Sequence, residues 1–250
     1  MSCVGTDELG VKIREELRVM GVDTNYLLES ERHPTGTVQV LLHDKGKPSC
    51  QILEDVARDY IPLTDGLKAL AENLDAVCFG SLSQSCAVSR ETIHTFVQRM
   101  PKGALTIFDV NLRQPCFSQE KIEASLRLAP VLKISDEEFP MLAGYFGLQG
   151  EVMVQLNRLR ELFELKQVVY TRGPDGSLLI GSNEVDDASG LEAVLVVTVG
   201  AGDSFTAALC MDLLKRWPHD KINSFANSPH VWPHSSVRKR ERPRSSPSVW

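Results

Sequence analysis

The chain has 250 residues, of which 42% are apolar and 24% are charged, and its formal net charge is −6. These fractions are typical of a globular protein that can bury a sizeable core, and no run of about eighteen apolar residues is present to span a bilayer. The sequence therefore predicts no membrane association. Residues 228–250 carry five Lys or Arg and one Glu, a net +4, which leaves −10 on the remainder. We expect no nucleic-acid binding by that acidic part.

The N-terminus and the cysteines indicate the compartment. The first eight residues include neither a basic leader nor an apolar stretch, so a cleaved secretion signal is not expected and the predicted location is cytoplasmic. The six cysteines lack C-x-x-C spacing, which favours reduced core thiols over disulfides or zinc ligands. They are Cys3, Cys50, Cys78, Cys86, Cys116 and Cys210.

The first part of the chain predicts a helix followed by an antiparallel hairpin. Residues 7–20 have helical periodicity, with Thr6 or Asp7 as the cap and Gly21 as the stop. Alternation predicts two strands at 37–43 and 49–53, and we expect a small lid or edge hairpin within residues 25–53. The face of the helix that is expected to pack consists of Leu9, Ile13, Leu17 and Met20.

From residue 75 onward, strand-like runs alternate with helical ones. Such alternation predicts an α/β fold, a mainly parallel sheet covered by helices on both faces, with ligands beyond the carboxyl ends of the strands. The predicted strands span 76–82, 104–109, 131–134, 168–172 and 177–180, and the predicted helices span 89–100, 119–128, 136–146 and 152–165.

A glycine turn is the strongest candidate site. An apolar, β-branched run at 194–199 predicts a buried strand, and helical spacing begins at Ser204. The turn between them, Gly200-Ala201-Gly202-Asp203, sets the free N–H groups of a helix start beside two glycines, where an anion can approach the backbone. Asp203 is suited to accept a proton from a hydroxyl that attacks a phosphoryl group. Its alternative role is an ordinary helix N-cap.

Polar residues and glycines also collect at the other predicted strand ends. These segments are 80–81, 109–113, 133–138 and 171–173. The sequence contains neither G-x-x-x-x-G-K-[ST] nor G-x-G-x-x-G, so neither a P-loop nor a dinucleotide fingerprint is available to bind phosphates. The Gly200 turn therefore stays the candidate phosphate site.

The segment 198–205, Thr-Val-Gly-Ala-Gly-Asp-Ser-Phe, resembles the C-terminal motif of the ribokinase-type (pfkB) carbohydrate kinases. The resemblance implies that Gly200, Ala201 and Gly202 form an anion hole and that Asp203 is the catalytic base. It also implies ATP, Mg²⁺ and a small sugar as ligands. Further segments, including 3–10, 21–23 and 34–38, resemble the family in its order and spacing, so that the resemblance covers residues 3–227.

The segment 109–113 resembles the family's D-x-N-x-R motif. The resemblance implies that Asp109, Asn111 and Arg113 line the cleft between the sugar and the phosphate groups. A guanidinium donates in a planar, bidentate manner, so Arg113 suits either phosphoryl charge or a sugar substituent. The alternative for Arg113 is a surface residue paired with a helix carboxylate, a contact of little energetic value.

The segment 133–138 resembles the family's K-x-N-x-x-E motif, with Ser135 in place of the Asn. The resemblance implies that Lys133 and Ser135 lie near the nucleotide phosphates and that Glu138 holds magnesium, largely through water. One carboxylate plus substrate phosphates is sufficient for Mg²⁺, because this ion keeps several waters. Glu138 is alternatively a helix-start carboxylate that the helix dipole favours.

The segment 168–177 resembles the family's T-x-G-x-x-G nucleotide motif. The resemblance implies that Thr171, Gly173 and Gly176 lie near ATP, with Asn227 as a further nucleotide-site residue. Pro-Asp-Gly is also a strong turn sequence by itself, and both interpretations can hold together.

Three departures from the family bear on activity. The family's N-terminal strands, with their substrate-binding Asp, paired glycines and Asn, would precede Cys3, so we expect an incomplete sugar pocket and an incomplete kinase domain over residues 1–227. Val197 stands where the family has an Asp that helps to bind a monovalent cation, which argues against activation by potassium. Residues 228–250 form a basic tail rich in Ser, Pro and Arg that we expect to be disordered. A shifted reading frame explains this tail better than a nuclear-address patch.

The functional hypothesis is ATP-dependent phosphorylation of a sugar hydroxyl, of the fructokinase type. The segments 111–113 and 133–135 favour fructose, with ribose and 2-keto-3-deoxygluconate left open. The alternative is a non-catalytic pseudokinase that binds a nucleotide or sugar. A third hypothesis, a dinucleotide oxidoreductase, is disfavoured because its fingerprint is missing. An unpaired lid hairpin would favour a homodimer.

Overall fold

The computed structural model describes residues 1–42, 48–112, 117–190 and 200–215. Its strands are β1 Ser2–Gly5, β2 Leu27–Ser30, β3 Val38–Leu42, β4 Pro48–Ile52, β5 Ala76–Gly80, β6 Leu105–Asp109, β7 Val131–Ser135, β8 Gln167–Thr171, β9 Ser177–Ile180 and β10 Val185–Ala188. Its α-helices are α1 Glu8–Val19, α2 Asp65–Ala71, α3 Ala87–Gln98, α4 Gln119–Leu126, α5 Phe139–Tyr145, α6 Val152–Leu162 and α7 Ala201–Lys215.

A six-stranded sheet organises the described residues, with the strand order β10-β9-β8-β7-β6-β5. The four strands β5 to β8 run parallel, each reached through a helical crossover, whereas β9 and β10 continue antiparallel through short turns. Because parallel neighbours end on the same side, the carboxyl ends of β5 to β8 form one edge of the sheet.

Alternate residues of the central strands face the two helix layers, as the two-residue period of a strand requires. Phe108 and Leu132 lie in the core beneath α3, α4, α5 and α6, and the neighbouring Ile107 and Val131 pack on the other face against Leu209 of α7. The strands β6 and β7 are therefore buried on both sides. The predicted α/β fold, with helices on both faces of a mainly parallel sheet, is confirmed.

The N-terminal part forms a smaller unit around β1 and β2, which pair in parallel. Asp7 caps α1 by accepting a hydrogen bond from the Gly10 amide at 2.9 Å. The same carboxylate accepts from the Thr35 amide at 2.7 Å and from the Thr35 hydroxyl at 2.6 Å, and this carboxylate therefore ties the helix start to a segment 28 residues later. Cys3 of β1 packs with Phe96 of α3 in a second apolar cluster that joins this unit to the sheet.

Several sequence predictions differ from the structure in this region. The α1 face predicted to pack is largely unburied, with Leu9 48% and Met20 72% exposed and with Ile13 and Leu17 half-buried. The predicted antiparallel hairpin is confirmed as the pair β3 and β4, whereas β2, inside the range 25–53 predicted for the lid, pairs with β1 instead. The sequence analysis also missed β1, β2, α2 and β10, which are short elements of four to seven residues with little periodicity.

The prediction for the last helix was wrong by three residues, since α7 begins at Ala201 rather than at Ser204. The strand predicted at 194–199 and the tail predicted at 228–250 lie outside the described residues. Within the part of the chain that the structure describes, no helix is both long and apolar enough to cross a membrane.

Candidate active site

The strand ends named in the sequence analysis meet along one edge of the sheet. The register places Gly80 opposite Asp109, Asp109 opposite Lys133, and Ser135 opposite Thr171. This row of neighbours follows from the parallel pairing of β5 to β8, because equivalent strand ends then lie side by side. Four segments distant in sequence are thereby brought together.

The first turn of α7 lies over this edge. Gly200 has a φ of +83°, a left-handed conformation that favours glycine, and no atom of the described residues lies within 4 Å of the position that its Cβ would occupy. The first helical hydrogen bond runs from the Ser204 amide to the Gly200 carbonyl at 3.0 Å. The amides of Ala201, Gly202 and Asp203 have no acceptor among the described residues, so they are available to an anion.

Asp203 is exposed, and its carboxylate makes no hydrogen bond or ion pair with any described residue. It is the third residue of α7 and not the residue before the helix, so the structure does not support the alternative role of N-cap. The charges of Asp203 and Asp109 both act on the thiol of Cys78, which places the two carboxylates in one neighbourhood. Among the described residues, therefore, an unpaired carboxylate lies beside three amides that have no acceptor.

A buried network underlies the first turn of α7. The Lys133 ammonium donates to Asp109 Oδ1 at 3.0 Å, and the Thr206 hydroxyl is 2.8 Å from Asp109 Oδ2. Burial raises the pKa of the Asp109 carboxyl above its ordinary value, and the charge of Lys133 and the hydrogen bonds from Lys133 and Thr206 offset part of that rise. A Cβ on Gly202 would lie 3.4 Å from Lys133 Nζ. The lysine therefore lies directly beneath the glycine turn.

Glu138 joins the ends of β6 and β7. Its Oε1 accepts from the Leu112 amide at 2.8 Å, and its Oε2 accepts from the Ser135 amide at 3.0 Å and from the Ser135 hydroxyl at 2.9 Å. Asn111, next to Leu112, has a φ of +44°, which is uncommon for a residue with a side chain. The Ser81 hydroxyl donates to the Asn111 carbonyl at 3.1 Å and helps to hold this conformation.

Glu138 is the candidate ligand for a metal ion. No group of three or more His, Cys, Asp or Glu side chains within the described ranges is arranged to hold an ion. Oε1 accepts a single hydrogen bond and keeps a second lone pair, whereas Oε2 accepts two hydrogen bonds. Mg²⁺ retains several waters when it binds with substrate phosphates. Glu138 thus fits a water-mediated contact to magnesium and does not fit a cage made by the protein alone.

The turn of the predicted nucleotide segment is held by close backbone packing. Gly176 has a φ of +96°, and a Cβ there would overlap the carbonyl oxygen of Ala188. A Cβ on Gly190 would likewise overlap the carbonyl oxygen of Pro174. Thr171 ends β8 beside Ser135, whereas Gly173 is exposed at the start of the turn. Gly176 therefore has a packing reason to be glycine whether or not a nucleotide binds.

The cysteine prediction was only partly right. Cys3 is buried, Cys86 and Cys210 are half-buried, and Cys78 is exposed on β5, and all four are free thiols. Desolvation by surrounding protein atoms, followed by the charge of Asp109, raises the pKa of Cys78 to about 12 in spite of this exposure. The thiol is thus protonated at neutral pH.

Three of the predicted functional positions, Arg113, Val197 and Asn227, lie outside the described residues. The sequence analysis missed two residues that the structure brings to the site. Ser81 is 2% exposed and supports Asn111, and Thr206 is 5% exposed and contacts Asp109. The spacing of Thr206, one turn after Gly202 in the same helix, was an available signal for its proximity to the glycine turn.

The fold and the site together define an α/β protein with a glycine-rich helix start at the carboxyl end of a parallel sheet. A family model described as pfkB family carbohydrate kinase matches residues 1–228. An uncharacterized sugar kinase of Pyrococcus horikoshii is 35% identical over 236 residues, which are 91% of this chain and 71% of that protein. Its structure in complex with ATP has a TM-score of 0.76 at 32% identity, covering 91% of this chain and 73% of that chain.

A fructokinase of Escherichia coli is 27% identical over 216 residues, which are 84% of this chain and 69% of that protein. The chain belongs to the pfkB family of carbohydrate kinases. The resemblance inferred from the glycine turn and the strand-end motifs is therefore confirmed.

Proposed function

We propose that this protein transfers the γ-phosphate of ATP to a hydroxyl of a small sugar, with fructose as the first candidate. One observation carries the proposal. At the edge where β5 to β8 end, the amides of Ala201, Gly202 and Asp203 and the carboxylate of Asp203 lie together without a partner among the described residues. The relatives support it, because one is named a fructokinase and the structure of another was solved in complex with ATP.

The chemistry assigned to this chain follows from those groups. Asp203 accepts the proton of the sugar hydroxyl while the hydroxyl oxygen forms a bond to the γ-phosphorus and the bond from phosphorus to the bridging oxygen breaks. ADP leaves with that electron pair. The amides of Ala201 and Gly202 donate to the phosphoryl oxygens, where charge is concentrated during transfer.

Magnesium, when bound, neutralises phosphate charge and orients the leaving group. The residue that we assign to it is Glu138, through water, because both carboxylate oxygens already accept hydrogen bonds from Leu112 and Ser135. Asn111, held in a left-handed conformation at the end of β6, is placed to contact the substrate. Thr171 and the turn at Gly173 line the predicted nucleotide side.

The test is phosphate transfer from ATP with Mg²⁺ to fructose, ribose and 2-keto-3-deoxygluconate, measured by ADP release, for the natural protein and for Asp203→Ala. We expect transfer to at least one sugar and a fall in turnover of at least ~10²-fold in the variant, since general-base catalysis contributes that much. Asp65→Ala is the matched control, because Asp65 is an exposed aspartate at the start of another helix, α2, and is not among the predicted site residues. Turnover in Asp203→Ala equal to that of Asp65→Ala would refute the assignment.

Calorimetric titration with ATP and Mg²⁺ separates this function from its alternative. ATP binding without transfer to any sugar in the panel would contradict the kinase proposal and favour a non-catalytic nucleotide-binding protein.

A further inference from the structure

The residues beneath the glycine turn form a buried polar network that joins three elements. Asp109 ends β6, Lys133 lies in β7, and Thr206 lies in the second turn of α7. The side chains of Lys133 and Asp109 are only 8% and 9% exposed. Each oxygen of the Asp109 carboxylate has its own partner, the ammonium for Oδ1 and the hydroxyl for Oδ2. The Asp109 carboxylate at the end of β6 therefore links this strand to both β7 and α7.

This arrangement differs from the ligand contacts that the sequence suggested for Asp109 and Lys133. A lysine whose ammonium is buried and already donates to a carboxylate is not extended toward the cleft. Its Nζ lies 3.4 Å from the Cβ position of Gly202, on the side of the turn that is closest to the sheet. The network thus contacts the anion-binding backbone from behind.

Thr206 is the member of the network that lies within α7 itself. Its hydroxyl lies 2.8 Å from Asp109 Oδ2 and 3.0 Å from the Gly202 carbonyl, one helical turn earlier. A hydroxyl has a single proton, so it donates to one of these oxygens at a time. Donation to Asp109 holds α7 onto the sheet, whereas donation to Gly202 stays within the helix and releases that link.

Stability alone is a weak reason for such a network. A buried ion pair often adds no net stability over apolar residues of similar volume, because desolvation of both charges offsets their attraction. Accurate placement of the reacting groups is a stronger reason, because a displacement of about 1 Å at an active site can lower the rate ~10²-fold.

We propose that Asp109, Lys133 and Thr206 are positioning residues that fix the first turn of α7 on the sheet, so that its amides and Asp203 keep their direction toward the transferred phosphate. This role rests on the proposed kinase function. The three side chains act through Gly202 and the helix and do not touch the substrate.

The decisive variant is Thr206→Val, which removes the hydroxyl and keeps the volume. We expect kcat to fall about tenfold while KM for the sugar and Kd for ATP change less than about threefold, because alignment is lost rather than binding. Thr206→Ser should restore kcat to within about threefold of the natural protein, since it returns the hydroxyl. Turnover of Thr206→Val equal to the natural value, or failure of serine to restore it, would overturn the proposal.

Thr92→Val is the matched control. Thr92 is a buried helical threonine whose hydroxyl donates to the Ile61 carbonyl at 2.7 Å, and it lies in α3 on the other face of the sheet. The loss of stability should be similar in the two valine variants, and only Thr206→Val should lower kcat. An equal loss of kcat in both would show a general effect of destabilisation and contradict a positioning role.

Amide hydrogen exchange measures how firmly the network holds α7, and it does not depend on catalytic activity. In Thr206→Val the amides of residues 204–207 should exchange about tenfold faster than in Thr92→Val, because the link from α7 to the sheet is gone. If the natural protein phosphorylates no sugar, the kinase proposal fails while this comparison still decides whether the network holds α7. Unchanged exchange would overturn the network itself.

The double variant Asp109→Leu/Lys133→Met provides a second, independent test, because it removes both charges and leaves neither unpaired in the core. We expect a folded protein with kcat lowered at least about tenfold. A folded double variant with natural turnover would overturn the proposal.

Discussion

The helices α1 and α7 both have glycine and aspartate near their N-termini, but these residues have different surroundings in the two helices. At α1, Asp7 accepts three hydrogen bonds, and Gly5 and Gly10 lie in close contact with other backbone. At α7, Asp203 has no partner among the described residues. Within the same residues, a Cβ on Gly200 would have no atom within 4 Å, and a Cβ on Gly202 would have only Lys133 Nζ.

The difference separates a structural helix start from one that is available to a ligand. The α1 start satisfies its first amides with its own carboxylate, as an N-cap does. Within the described part of the chain, the α7 start leaves its amides and its carboxylate without partners, and its glycines leave room for an approaching group. Glycine and aspartate at a helix start therefore indicate a binding site only when the surrounding protein does not already use them.

Replacement of Gly10 in α1 and of Gly202 in α7 by alanine should give the largest difference in stability between the two helix starts. A Cβ on Gly10 would overlap the Gly5 carbonyl oxygen and lie 3.0 Å from Thr35 Oγ1, so Gly10→Ala should lower the free energy of unfolding by about 3 kcal/mol. Gly202→Ala, its matched control, should be neutral or should raise that free energy by up to about 1 kcal/mol, because alanine is the better helix former. Urea denaturation measures both. Equal losses in the two variants would remove the distinction between the helix starts.

A smaller effect is expected from the pH dependence of Asp7. The Thr35 hydroxyl, the Thr35 amide and the Gly10 amide lower the pKa of the Asp7 carboxyl below its ordinary value. The folded state then binds this proton less tightly than the unfolded chain, in which the pKa is about 3.9. The stability that Asp7 contributes is thus complete above that pH and is lost as the pH falls through the lower folded pKa.

We therefore expect the difference in Tm between the natural protein and Asp7→Asn to be constant from neutral pH down to about 5 and to shrink below about 4. Asp65→Asn is the control, because the Asp65 carboxyl is exposed and its pKa is lowered mainly by the hydrogen bond and the charge of Lys68. About 1 M salt should abolish the Asp65 difference and leave the Asp7 difference. A difference for Asp7 that widens as the pH falls would contradict the assigned hydrogen bonds.

The sequence allowed the central fold to be predicted because its strands are apolar and well separated. The runs at β6, β7 and β8 are buried on both faces, and such strands have a clear pattern in sequence. The pair β1 and β2 was missed, since Leu27-Leu28-Glu29-Ser30 is short and lacks alternation. The α1 prediction failed in another way, because periodicity shows which residues share a face but not whether anything covers that face.

Residues for the candidate site could be proposed from the sequence, but their hydrogen-bond partners could not. Asp203, Asn111 and Glu138 were selected because polar residues at the ends of parallel strands are expected to lie together, and their roles stay predictions. The contacts of Asp109 with Lys133 and Thr206 could not be predicted from local spacing, because these partners are 24 and 97 residues from Asp109 in sequence. Likewise, the partner of Glu138 at Leu112 is set by the β6–β7 register and not by local spacing.

The most direct measurement compares Asp203→Asn with Asp7→Asn for both turnover and Tm. We expect Asp203→Asn to lose at least ~10²-fold in phosphate transfer, with Tm within about 2 °C of the natural value, because its carboxylate serves chemistry and holds no part of the fold. Asp7→Asn should lower Tm and keep the turnover of each folded molecule within about threefold. Natural turnover in Asp203→Asn, or a loss of Tm in that variant as large as in Asp7→Asn, would contradict the central claim that α7 begins with a free catalytic carboxylate.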